Sequence, residues 1–151
     1  MLIYESTAFR IVGAQIGAWS QLQVAAHHAL PPGGPAYLNA WCDFNTDGDV
    51  ADAGERIATN VLAVEGVNLI AFFTPPAVTP GVSVMRVRLA SGQLGAAGYG
   101  GFGGIGEVED HRIDFVRPSG ATNVQAHEAN GQVWITWQFN TAAPAQVYEV
   151  Y

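Results

Sequence analysis

The sequence contains no lysine, and its six arginines stand against thirteen acidic residues, for a formal net charge of −7 at pH 7. Proteins that bind nucleic acid through its phosphates need clustered cations. The shortage of positive charge therefore argues against nucleic acid as a partner. The acids are also unevenly distributed, because five of them lie between residues 43 and 55.

Long apolar runs and disulfide bonds are missing too. No run reaches the roughly 18 residues of a membrane-spanning helix, so no membrane insertion is expected. Residues 1–5 lack the basic start and continuous apolar stretch of a signal peptide, so an exported form of this chain would be mature or excised. The single cysteine, Cys42, cannot form an internal disulfide and is expected to act as a small buried apolar side chain.

Common catalytic signatures are absent from the chain. It has no Gly-x-Ser-x-Gly, no His-Glu-x-x-His and no Cys/His spacing for zinc. Its carboxylates are better suited to act as ligands than as an acid/base pair. We therefore expect a protein that is not an enzyme.

Short β-branched runs separated by turn residues are typical of an all-β fold. With 18 glycines, 8 prolines and 49% hydrophobic residues in 151 positions, the chain can bury one core. We predict an antiparallel β-sandwich of the jelly-roll or immunoglobulin-like type, with a calcium-binding loop and a partial second β unit. The predicted strands are 2–12, 18–29, 36–44, 57–64, 67–73, 82–89 and 107–115.

The most specific stretch is Asp43-Phe-Asn-Thr-Asp-Gly-Asp49, with Asp52 and Glu55 close behind. Oxygen-bearing side chains at alternate positions, with a glycine that lets the backbone turn, can converge on one hard cation. The sequence therefore predicts a Ca²⁺ site. Its predicted ligands are Asp43, Asn45, Asp47, Asp49 and Glu55.

Two observations distinguish this loop from an EF-hand. Position twelve of the loop, counted from Asp43, is Gly54, and Glu55 comes one residue late. Residues 36–44 also alternate in the manner of a strand. The alternative is that these residues only form a turn, since Asp, Asn and Gly are common turn residues.

Residues 91–106 hold eight glycines together with Tyr99 and Phe102. This segment is too poor in branched residues to be a strand. It is read as a flexible hairpin connection or, alternatively, as a ligand-binding loop in which the two aromatics make the contacts. A carbohydrate-binding module, with Trp19, Trp41, Tyr99 or Phe102 stacked on a glycan, is the alternative function.

The alternation of side chains along a strand predicts which face each residue of the segment 107–115 occupies. Ile113 and Phe115 mark the core face, which Glu107 and Glu109 share, while Asp110 and Asp114 face outward. These outward acids are predicted to form ion pairs with Arg86 and Arg88 of a neighbouring strand. We further hypothesise that Glu107 or Glu109 closes the calcium site; the equal alternative is that these two and Asp110 serve only salt bridges or turns.

The segment Gly106-Glu-Val-Glu-Asp110, together with residues 37–49, 53–55 and 86–89, resembles the GEVED domain. The resemblance covers roughly residues 18–116. It implies a β-sandwich that is a non-catalytic module of a bacterial secreted or cell-surface protein. This chain departs from the family pattern at Cys42 and His111, where an aliphatic and an aromatic residue are usual.

The sequence changes character at residue 117, which divides the chain into units 1–116 and 117–151. Residues 121–139 and 147–151 resemble the first strands of a fibronectin type III domain, with Trp137 in the place of its core tryptophan. Seven strands would complete such a domain. We therefore expect self-association, in which the terminal strands pair with a neighbouring subunit to build a filament or adhesin, or contact with neighbouring domains of a larger surface protein.

Overall fold

The computed structural model describes residues 4–12, 14–28, 34–101, 105–118, 120–129 and 131–139. Nine β-strands and no helix occur in these ranges. The strands are β1 (Tyr4–Val12), β2 (Trp19–His28), β3 (Tyr37–Cys42), β4 (Arg56–Leu62), β5 (Gly66–Phe73), β6 (Gly81–Ala90), β7 (Gly106–Phe115), β8 (Ala121–Ala129) and β9 (Gln132–Phe139). The all-β prediction is confirmed.

The first seven strands form two antiparallel sheets. One sheet has the order β1-β2-β5 and the other the order β4-β3-β6-β7. Consecutive strands β4 and β5 belong to different sheets and are outermost among the described strands of their own sheet. The chain therefore crosses from one layer to the other at the turn between these two strands.

Alternating apolar residues build the core between the sheets. Along β5, every second residue from Asn68 to Phe72 is buried while its neighbours are exposed, which is the period of two of a half-buried strand. Met85, Val87 and Leu89 of β6 face inward as predicted. The other strand residues of this core cluster are Leu22, Val24, Ala26, Leu38, Ala40, Cys42, Ala58, Ile70, Phe72, Ile113 and Phe115.

The glycine that opens β7 has a steric reason. A Cβ at Gly106 would collide with the backbone carbonyl oxygen of Leu89, the residue that precedes Gly106's ladder partner Ala90. Because that obstacle is backbone, it cannot move aside as a flexible side chain could. Gly106 therefore allows β6 and β7 to remain paired up to the residue where the glycine-rich segment ends.

Compact units span Met1–Val116 and Arg117–Tyr151. In the second unit β8 and β9 form an antiparallel hairpin. The expected strand at 147–151 lies outside the described residues, so the fibronectin type III resemblance remains a prediction. None of the described residues forms a helix of the length and hydrophobicity that a membrane crossing requires.

Candidate functional site

The acidic loop connects β3 to β4, and Asp43 anchors its first end. This aspartate is 4% exposed, and its Oδ1 and Oδ2 accept hydrogen bonds from the backbone N–H groups of Thr46 (2.6 Å) and Gly48 (3.1 Å). Its own N–H donates to the carbonyl of Val84 (3.0 Å), and its carbonyl accepts from the Ser83 hydroxyl (2.5 Å). Asp43 therefore fixes the loop to β6.

Glu55 anchors the other end of the loop. It is 3% exposed, and its two carboxylate oxygens accept from the backbone N–H groups of Phe44 (3.1 Å) and Asp52 (3.2 Å). Its carbonyl accepts from the N–H of Cys42 (2.8 Å). Burial raises the pKa of the Glu55 carboxyl, because removal from water disfavours the charged form. One residue thus joins both ends of the loop.

Between these anchors, alternate side chains hold the backbone two residues ahead. Asn45 Oδ1 accepts from the N–H of Asp47 (3.0 Å), Asp47 Oδ1 from that of Asp49 (3.1 Å), and Asp49 Oδ1 from that of Ala51 (2.8 Å). Gly48 has a φ of 96°, which a residue with a Cβ rarely adopts. The alternating oxygens thus form a series of Asx turns.

The residues brought together here match the chemistry of calcium, because their side chains offer oxygen atoms. Asn45, Asp47, Asp49 and Asp52 are exposed, and the Asn45 amide donates to Asp47 (3.0 Å) and Asp52 (2.6 Å). Within the described ranges, however, no three His, Cys, Asp or Glu side chains converge as a metal group would. The calcium site therefore remains a prediction.

The β6–β7 register gives no support to the hypothesis that Glu107 or Glu109 closes this loop, which stays a prediction. Glu109 lies opposite Val87 in the β6–β7 ladder, whereas the backbone of Asp43 bonds Val84, three residues farther along β6. Three residues of strand span about 10 Å, and Glu107 lies farther still. Glu109 instead contacts the His111 ring, with Oε2 and Nε2 separated by 2.8 Å.

Arg86 and Asp110 lie directly opposite each other on β6 and β7 and form a two-pronged ion pair. Arg86 Nε and Nη2 donate to Asp110 Oδ1 and Oδ2, both at 2.6 Å. This hydrogen bond lowers the pKa of the Asp110 carboxyl and raises that of the Arg86 guanidinium. Arg86 Nη1 also donates to the Tyr99 carbonyl at 3.0 Å, so the pair reaches the glycine-rich segment.

The second predicted pair, Arg88 with Asp114, is wrong. In the β6–β7 register Arg88 lies opposite Val108, while Asp114 lies opposite Val82 at the far end of the strand. Asp114 accepts instead from Arg112 Nη2 on its own strand (2.9 Å). Although Arg88 is on the outer face, it is only 6% exposed.

Arg88 is buried because the glycine-rich segment folds over it. Its Nη1 donates to the carbonyls of Gly98 (2.8 Å) and Gly100 (3.2 Å), and its Nη2 donates to that of Gly101 (2.9 Å). A Cβ at Gly98 would lie 2.6 Å from Leu94 Cβ, so glycine permits this close fold. The described part of the segment is thus held against the sheet, in contrast to the expected flexible connection.

Arg56 and Asn60 of β4 hold the beginning of the same segment, and sequence reasoning missed both. Arg56 Nη1 and Nη2 donate to the carbonyls of Gly95 (2.9 Å) and Leu94 (3.2 Å). The Asn60 amide accepts from the N–H of Leu94 (2.8 Å) and donates to its carbonyl (3.1 Å). Asn60 has a φ of 48°, a conformation that asparagine tolerates. The sequence signal that could have indicated Asn60 is a polar residue that interrupts an otherwise apolar strand.

The aromatics proposed for sugar stacking do not form one exposed row. Trp41 is 1% exposed and packs with Val50 and Leu94, and Tyr99 is partly buried against the same cluster. Trp19 is exposed, and Phe102 lies outside the described residues. Trp41 is therefore not available to stack on a glycan, and the alternative of a carbohydrate-binding module stays a prediction.

The fold and the site describe a small all-β module with two ordered loops on one four-stranded sheet. A comparison with protein families matches residues 37–114 to the GEVED domain. The protein belongs to the GEVED domain family, and members of that family occur in extracellular proteins. Comparisons with curated proteins and with solved structures find no match.

Proposed function

We propose that this protein is a non-catalytic structural module of a secreted bacterial or cell-surface assembly, which calcium stabilises and which joins its neighbours by strand addition. The observation that carries the proposal is the exposed edge strand β5. Family membership supports the extracellular setting.

Strand β5 has the properties of a pairing edge. Among the described strands it pairs only with β2, so its other side has no partner strand. It contains no charged residue, and Val67, Leu69 and Phe73 are 61%, 58% and 41% exposed. Natural edge strands are usually protected by charges, prolines or bulges. An edge without such protection is suited to accept a strand from another molecule.

The predicted donor is the C-terminal unit of a neighbouring subunit. Its described hairpin exposes Val124 (60%), Val133 (70%) and Ile135 (57%), which is more apolar surface than a solvated hairpin needs. Pairing of a tail with the sheet of the next subunit is a head-to-tail contact. Such a contact forms a filament when its rotation does not close a ring.

Analytical ultracentrifugation tests assembly. We expect the full chain to form higher oligomers, and a chain lacking residues 118–151 to remain a folded monomer. Leu69→Lys should also abolish assembly, since it adds a charge to the edge. Val84→Lys is the matched control, because Val84 is 43% exposed on an inner strand. A full chain that stays monomeric at high concentration would exclude the strand-addition proposal.

The proposed calcium ligands are Asp43, Asn45, Asp47, Asp49 and Glu55. Support comes from their alternation and from the Asx turns that already bring their oxygens onto one short loop. A preordered loop loses less conformational entropy when it binds a cation. Calcium would also compensate the negative charge that Asp43 and Glu55 carry in a buried environment.

Thermal unfolding with calcium and with chelator tests this proposal. A ligand at a hundredfold excess over its dissociation constant stabilises the folded state by about 2.7 kcal/mol, which raises Tm by on the order of 10 °C in a domain of this size. Asp47→Ala should abolish the response, whereas the exposed Asp114→Ala should retain it. Identical melting curves of the unmodified protein in calcium and in chelator would refute calcium binding.

A further inference from the structure

Beneath the glycine-rich segment, some hydrogen-bond donors have no partner among the described residues. Arg88 has five N–H bonds, and the described residues supply acceptors for three of them. Arg56 Nε and Asn39 Nδ2 are buried there without a partner in the described chain. Asn39 is 0% exposed, and its Oδ1 already accepts from Arg56 and from the Asn60 N–H. The unpartnered groups at this place are therefore all donors.

The same region has a surplus of positive charge. Among the arginines there, Arg86 is paired with Asp110, but Arg56 and Arg88 form no ion pair with any described carboxylate. Backbone carbonyl dipoles surround the Arg88 guanidinium. The Arg56 guanidinium lies over the Trp41 ring, with Cζ 5.2 Å from the ring centroid. Dipoles and ring faces compensate a buried cation only in part.

An open cavity of about 430 Å³ lies at this place. Arg88 is its charged lining residue, and Gln93 also lines it. The remaining walls come from the glycine-rich segment, namely Leu94, Gly95, Ala97, Gly98 and Gly100. The cavity is large enough for a group of several non-hydrogen atoms, and among its described lining residues the only charged one is a cation.

We propose that this cavity binds a single oxyanionic group, a carboxylate, sulfate or phosphate, through the remaining N–H donors of Arg88. A planar guanidinium is well matched to such groups, which accept two parallel hydrogen bonds. An anion in the cavity would offer acceptors to the remaining Arg88 donors and negative charge to its guanidinium. A neutral ligand would supply only the acceptors.

Isothermal titration calorimetry of the full chain with sodium sulfate, sodium phosphate and sodium glucuronate tests the site, with sodium chloride at equal ionic strength as the blank. We expect saturable binding of at least one of the three. The net charge of −7 opposes general attraction of anions to this protein. The three salts distinguish an inorganic oxyanion from the carboxylate of an acidic sugar.

Arg88→Lys should weaken binding about tenfold or more, because a lysine keeps the charge but loses the fork of donors. The control is Arg112→Lys, at an exposed arginine of the same sheet, which should bind as the unmodified protein does. Ala97→Glu adds a carboxylate at an exposed lining residue of the cavity and should abolish binding with Tm unchanged, which keeps the test decisive if Arg88→Lys does not fold. No saturable heat with any of the three salts, or equal affinity in Ala97→Glu, would overturn the proposal.

Discussion

Replacing Trp41 by alanine should strongly destabilise the protein, although sequence parity places Trp41 on the outward face of β3. The ring is 1% exposed because the glycine-rich segment and the acidic loop cover it, and it packs against Leu94 and Val50. Truncation of a buried tryptophan costs about 3–5 kcal/mol, and loss of the contact with Arg56 adds about 0.5–1 kcal/mol. That sum is a large fraction of the roughly 5–15 kcal/mol by which domains are stable.

Trp19→Ala is the matched control, since it deletes the same side chain from a surface position. Trp19 is 73% exposed, and its main ring contact is Phe73 at 5.6 Å, which contributes about 0.5–1.5 kcal/mol. Urea unfolding followed by circular dichroism gives the free energy of unfolding of both variants. Unchanged m-values check that both variants expose the same surface on unfolding. If both variants lose the same free energy of unfolding, the inference that the two loops bury Trp41 is wrong.

The remaining predictions concern a surface ion pair and the buried thiol. In a double-mutant cycle of Arg86→Met and Asp110→Asn, the coupling energy should be about 0.2–1 kcal/mol, because both side chains are partly solvated. Since the pKa of Asp110 is lowered in the folded state, this stabilisation should be present above its ordinary pKa and decline as pH falls; a pH-independent coupling down to pH 2 would contradict it. Burial raises the pKa of Cys42 to about 12, so a thiol reagent at pH 8 should modify the protein only at its unfolding rate, and rapid modification of the folded protein would refute the burial.

Strand positions and facing could be predicted because they depend on local alternation. Met85, Val87 and Leu89 are buried and Ile113 and Phe115 share one face for that reason. Which residues of neighbouring strands lie opposite each other was harder to predict. Parity alone places Asp110 and Asp114 on the same face as the two arginines, and only the register between β6 and β7 shows that Asp110 reaches Arg86 while Asp114 reaches none of them.

The burial of Arg88 and Trp41 could not be predicted from the strand pattern, because it depends on where an irregular segment goes. Glycine-rich sequence carries no periodicity, so its path is determined by distant partners such as Arg56 and Asn60. The path of the acidic loop, in contrast, is determined by residues close together in the sequence. Its side chains bond the backbone two residues ahead, so the short-range sequence pattern suffices to indicate its shape.

The small cluster around Trp41 gives the two loops a common support. Val50 comes from the acidic loop and Leu94 from the glycine-rich segment, and both pack on the same indole. If binding at one loop changes how tightly that support is packed, it changes the affinity at the other. Thermodynamic linkage then requires the effect to be reciprocal, so that a cation at the acidic loop and an anion beside Arg88 alter each other's binding constant by one and the same factor.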